Sequence, residues 1–121
     1  MRGRRLLLTT LGSLLLAPAV PAATPDGGEA AGATTAIRVT MTEFKFVLSR
    51  KTAPVGVVWF RVVNKGETGH DFKIKGKKTP IYDSGKAGTL KVTFTKRGKF
   101  SYLCTVPAHA ASGMKGVLTI R

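Results

Sequence analysis

From Ala36 onward, large apolar residues fall on alternate positions, the period of strands that bury one face. Ile37, Val39 and Met41 alternate with Arg38 and Thr40, and Phe44, Phe46 and Leu48 with Lys45 and Val47. Phe72 and Ile74 alternate with Asp71, Lys73 and Lys75, and Leu90, Val92 and Phe94 with Lys91 and Thr93. Phe100, Tyr102 and Cys104 share one face of a further run, and Val117 to Ile120 forms the last. Val57 to Val63 is almost continuously apolar, broken by Arg61, which predicts a central strand. Turn-forming groups separate the runs: Ala53-Pro54, Asn64-Lys65-Gly66, Lys75-Gly76-Lys77, Asp83-Ser84-Gly85 and Lys96-Arg97-Gly98-Lys99. No window repeats at a helical period with caps. Seven or eight short strands at this spacing predict an all-β fold, a β-sandwich.

The preceding residues differ in texture. Arg2, Arg4 and Arg5 lead into an apolar stretch, Leu6 to Leu16, and then the small residues of 17–23. Residues 1–23 therefore read as an export signal, too short in its apolar part to span a bilayer. Export to the periplasm or cell surface is expected. Residues 24–35 are rich in Ala, Gly and Thr without large apolar side chains, and read as a flexible linker. Residues 36–121 are expected to form the single domain for which 121 residues leave room.

Charge adds a statement about partners. The chain has 20 basic and 6 acidic side chains. Loss of Arg2, Arg4 and Arg5 leaves 17 basic against 6 acidic, a net +11. That favours anionic partners, such as an acidic protein face or an anionic membrane surface. Nucleic acid is not expected, because aromatic residues are not interleaved with the basic ones as a stacking platform requires. Lys73, Lys75, Lys77 and Lys78 cluster as a candidate docking patch, although a charge run also serves simply as a solvated face.

The chain has one cysteine and two histidines. An intramolecular disulfide is thus excluded. Cys104, His109 and Met114 follow one another at intervals of five within an eleven-residue segment that Pro107 and Gly113 mark as a loop. Singly, each has an ordinary reading: a small buried hydrophobe, a surface imidazole, a core methionine. In order within one loop they present a thiolate, an imidazole and a thioether to one point, and His70 supplies a second imidazole. Two His and one Cys in a plane with a weak axial Met is the ligand set of a type 1 (blue) copper ion. With two histidines only, further copper centres of an oxidase or nitrite reductase lack ligands, so no enzyme activity is expected.

The loop Cys104-x4-His109-x4-Met114 is preceded by Phe100-x-Tyr102-x-Cys104 and followed by Lys115-Gly116-Val117-Leu118. It resembles the copper loop of cupredoxins, with the spacing of the auracyanin, rusticyanin and stellacyanin types. Val62-Val63-Asn64-Lys65-Gly66 followed by His70-Asp71-Phe72 resembles the segment of their first histidine. The resemblance covers about residues 36–121. It implies a Greek-key β-sandwich with one copper ion at one end. His70, Cys104 and His109 would be the equatorial ligands and Met114 the axial one. It also implies single-electron transfer, or, as the alternative, copper binding and delivery through the same ligands; a monomer that meets a redox partner protein is expected. Asp71 stands where many members have Asn, a side chain that ties the two ligand segments together near the residue after the cysteine, here Thr105. Ala108 stands where relatives often have Gly.

Overall fold

The computed structural model describes Gly3, Gly12 and residues 33–121. The expected export signal and most of the expected linker lie outside the described residues. Among the described residues there are nine strands and no helix: β1 (Thr34–Thr42), β2 (Lys45–Leu48), β3 (Thr52–Ala53), β4 (Gly56–Asn64), β5 (Lys73–Ile74), β6 (Lys77–Lys78), β7 (Ala87–Phe94), β8 (Gly98–Leu103) and β9 (Lys115–Ile120). They form a four-stranded sheet in the order β2-β1-β4-β7 and a five-stranded sheet in the order β3-β9-β8-β5-β6.

The alternation in the sequence becomes the two faces of each sheet. Ile37, Val39 and Met41 of β1, Val58, Phe60 and Val62 of β4, and Val92 and Phe94 of β7 point inward. From the second sheet Ile74, Tyr102, Leu118 and Ile120 meet them. β4 lies between β1 and β7, as its apolar run predicts, but only one of its faces is covered. Its outward positions include Trp59 and Arg61, both exposed, with the Lys91 ammonium 5.5 Å from the Trp59 ring centroid.

Three details depart from the sequence pattern. β1 starts at Thr34, two residues inside the expected linker, because the parallel strand β4 pairs Thr34 with Val57 and Thr35 with Val58. Thr52–Ala53 and Lys77–Lys78 pair as short strands that show no alternation of their own; their partners β9 and β5 supply the ladder. Phe44, expected on the buried side of a strand, instead sits in the two-residue turn between β1 and β2, is 44% exposed and has φ +59°. Register decides this: Thr42 pairs with Lys45, leaving Glu43 and Phe44 as the turn.

Phe72 anchors one end of the core. Its ring is fully buried and lies 5.5 Å from Phe46, 5.0 Å from Phe60 and 5.5 Å from Tyr102, centroid to centroid. It follows directly on His70-Asp71, so this aromatic cluster fixes the backbone from which the first histidine projects.

Candidate metal centre

The site is built where three connections meet at one end of the sandwich: the β1–β2 turn, the segment between β4 and β5, and the β8–β9 loop. The last is closed at its base, where the Cys104 N–H donates to the Met114 carbonyl at 3.1 Å. Inside it the His109 N–H donates to Val106 O and the Met114 N–H to His109 O, both at 3.1 Å. Ser112 donates from its N–H (3.0 Å) and its hydroxyl (2.9 Å) to Ala108 O. Ala108 has φ +69°, the left-handed conformation that Gly adopts freely. The loop thus keeps the bend that Gly would provide, at a steric cost of about 1–2 kcal/mol for a residue with a Cβ.

The segment carrying His70 is pinned by Asn64, which is fully buried. Its amide donates to Thr68 O at 2.8 Å and Tyr82 O at 2.7 Å, and its carbonyl oxygen accepts the Gly66 N–H at 2.8 Å. His70 itself exchanges both backbone hydrogen bonds with Tyr82.

These loops bring His70, Cys104 and His109 together, their donor atoms all within 4.8 Å of one another. The two Nδ1 atoms face each other at 3.1 Å, and His109 Nδ1 lies 3.6 Å from Cys104 Sγ. His70 and Cys104 are buried and His109 is half-buried. Met114 is fully buried at the foot of the same loop, its backbone bonded to both Cys104 and His109. Burial pushes the Cys104 thiol above its ordinary pKa, the Asp71 charge adds to this, and the Asp71 and Val106 N–H groups oppose it. Asp71, fully buried, accepts from the Thr105 N–H at 2.6 Å and from the Thr105 hydroxyl. An acceptor-only carboxylate therefore joins the two ligand segments at the position where the resemblance anticipates Asn.

The donor set fits copper. A soft thiolate with two imidazole nitrogens, spaced so that one ion with bonds of about 2 Å to nitrogen reaches them, is the equatorial set of a type 1 site. The sequence reading missed two residues that touch it. Glu43 Oε1 lies 3.3 Å from His70 Nε2, and the Phe44 ring meets the His109 ring edge-on with centroids 5.1 Å apart. The sequence marks no turn at Glu43, and an acid in a basic chain assigns no role by itself.

Comparison with known proteins agrees with this geometry. The family of copper binding proteins described as plastocyanin/azurin matches residues 23–121. The chain belongs to that family, and its cofactor is one copper ion, for which His70, Cys104 and His109 with Met114 form the candidate type 1 site. Among solved structures, dithionite-reduced auracyanin from Roseiflexus castenholzii superposes with a TM-score of 0.60 at 22% identity, over 73% of this chain and 96% of that one. Auracyanin A, a blue copper protein from Chloroflexus aurantiacus, gives 0.59 at 18% identity over 73% and 99%. The multicopper oxidase of Campylobacter jejuni gives 0.59 at 17% identity, over 71% of this chain and 30% of that one. No curated protein matches the sequence.

Proposed function

We propose that the protein is an exported carrier of single electrons, with His70, Cys104 and His109 as equatorial copper ligands and Met114 as the axial one. The convergence of one buried thiol and two imidazole nitrogens within 4.8 Å carries this reading. The auracyanins, one of them named a blue copper protein, share the fold over nearly their whole length, which supports it.

When bound, copper supplies a centre that alternates between Cu(I) and Cu(II). The chain's own residues hold that alternation to one geometry. Cys104 and Met114 offer soft donors that suit Cu(I), and the imidazoles suit Cu(II). Asp71 and the Cys104–Met114 backbone bond keep the donors in place as the charge changes. Burial of His70, Cys104 and Met114 excludes water. His109 reaches the surface beside Pro107, Ala108 and Ala111, all exposed, and is the route by which an electron enters or leaves.

An acidic redox partner would meet a basic row beside this exit. Lys78, Lys73, Leu103 and Lys115 stand opposite one another across β6, β5, β8 and β9, so they share one face. Ile74 and Tyr102, the next positions along, are buried, which turns that row outward. Leu103 and Lys115 adjoin Cys104 and Met114 in sequence. Lys75 is set apart from this row, since its ammonium donates to Thr93 O at 2.7 Å.

Titration with Cu(II) tests the assignment: an intense visible band from the Cu–thiolate bond is expected, and a colourless Cu(II)-bound protein overturns it. Copper delivery, the alternative use of these ligands, requires ready release to a chelator, and the buried thiolate opposes it.

A further inference from the structure

Glu43 occupies the first position of the β1–β2 turn. Its Oε1 accepts the Glu67 N–H at 2.5 Å, the Thr68 N–H at 2.9 Å and the Thr68 hydroxyl at 3.3 Å, and lies 3.3 Å from His70 Nε2. The carboxylate is 38% exposed, and with two N–H groups and one hydroxyl directed at Oε1 that oxygen acts as an acceptor.

This fixes the proton on His70. The Thr68 hydroxyl, whose oxygen is 3.3 Å from His70 Nε2, donates to Glu43 and so turns a lone pair toward the ring. Both neighbours of Nε2 are acceptors, so Nε2 carries the hydrogen. In the neutral ring Nδ1 is then the lone-pair atom, and it faces His109 Nδ1 at 3.1 Å.

Two features keep the carboxylate there. A Cβ on Gly66 would lie 2.5 Å from Glu43 Oε1 and 3.0 Å from His70 Nε2, so only glycine leaves room for it. The next residue, Phe44, holds φ +59° in a bulky side chain, a strained conformation that persists where its surroundings impose it. Its ring packs against His109.

We infer that Glu43 is a positioning residue of the copper centre: it holds His70 with Nε2–H outward and the Nδ1 lone pair toward Cys104 and His109, and biases the bound metal toward Cu(II) by its charge. This rests on the copper reading above. A carboxylate behind a ligating imidazole raises the basicity of the ligand, and loss of such a partner typically weakens metal binding by roughly 10–100-fold.

The experiment compares wild type, Glu43→Gln, Glu43→Ala and Gly66→Ala, purified without metal and titrated with Cu(II). Dissociation constant, visible spectrum, reduction potential and apo melting temperature are read for each. Glu43→Gln keeps an oxygen for the Nε2–H without the charge. Its spectrum should stay close to wild type while its potential rises. Glu43→Ala should lose roughly 10–100-fold in Cu(II) affinity and rise further in potential. Gly66→Ala, which displaces the carboxylate, should move in the same direction as Glu43→Ala. A structural role alone predicts a lower apo melting temperature with affinity and potential unchanged in all three, and that result overturns the inference. Should Glu43→Ala fail to fold, Glu43→Gln decides by its potential. A colourless wild type removes the copper reading itself; a blue wild type with Glu43 variants unchanged removes only the role of Glu43.

Discussion

Cys104 belongs to the core and to the site at once. It is 1% exposed and packs with the buried residues of both sheets, yet its sulfur points at two imidazoles. Cys104→Ser keeps the size and removes the thiolate. It should abolish the visible band of the Cu(II) protein while circular dichroism of the apo form stays unchanged. Met114 differs, because its thioether is a weak donor that favours Cu(I). Met114→Gln presents a harder oxygen of similar reach and should lower the reduction potential while the blue colour persists. A tenfold change in the preference for Cu(II) over Cu(I) is about 59 mV for one electron, and a fall of that order is expected by voltammetry. A potential unchanged in a folded blue variant would remove Met114 from the ligands and leave it as packing.

At the scale of the elements, the β5–β6 hairpin carries the lysines that the charge pattern singles out, but their surroundings divide them. Lys73 and Lys78 pair across the hairpin and line up with Lys115 beside the copper loop. The Lys75 ammonium is bonded to Thr93 O and lies 5.5 Å from the Phe94 ring centroid. Changing Lys73, Lys78 and Lys115 to Glu should slow association with an acidic redox partner, measured by stopped flow. Wild-type association should itself slow as salt rises, since exposed charges are screened over about 8 Å at physiological ionic strength. Lys75→Glu should act on stability more than on that rate. A rate indifferent to salt and to these changes would return the lysines to the status of a solvated face, and an equal effect of Lys75→Glu would assign the steering to net charge rather than to the row.

Across the whole molecule, the site stands on a core that does not need it. Buried side chains from both sheets meet around Phe60, Phe72 and Tyr102, and those contacts exist without any metal bond. The apo protein should therefore fold cooperatively, and copper should raise its melting temperature by mass action, adding about 2.7 kcal/mol of stability at a hundredfold excess over Kd. Phe72→Ala should cost about 3–5 kcal/mol in denaturant unfolding of the apo form. It should also weaken copper binding, because Phe72 anchors the backbone of His70. A random-coil apo spectrum would contradict this order of dependence.

The alternating strands β1, β7, β8 and β9 were legible in the chain because burying one face of a strand imposes a period of two on the sequence itself, and β4 was legible as an almost continuous apolar run. The Cys104-to-Met114 loop was legible for a different reason: scarce residue types with strong metal chemistry fall close together along the backbone. What lay beyond reading has a common cause, since it depends on partners distant in sequence. β3 and β6 exist through their neighbours, and Lys75 is separated from Lys73 and Lys78 only by the position of Thr93. Phe44 has the periodicity of a strand residue, but the register of β1 against β2 puts it in a turn. Glu43 reaches His70 across 27 positions, over a glycine that only the folded loop brings beneath it. The sequence thus determined which residues offer candidate donor atoms and the sandwich that carries them. The tertiary structure alone decided which ring nitrogen of His70 faces His109 and which faces Glu43, because hydrogen-bond direction is set by atoms that meet only after folding.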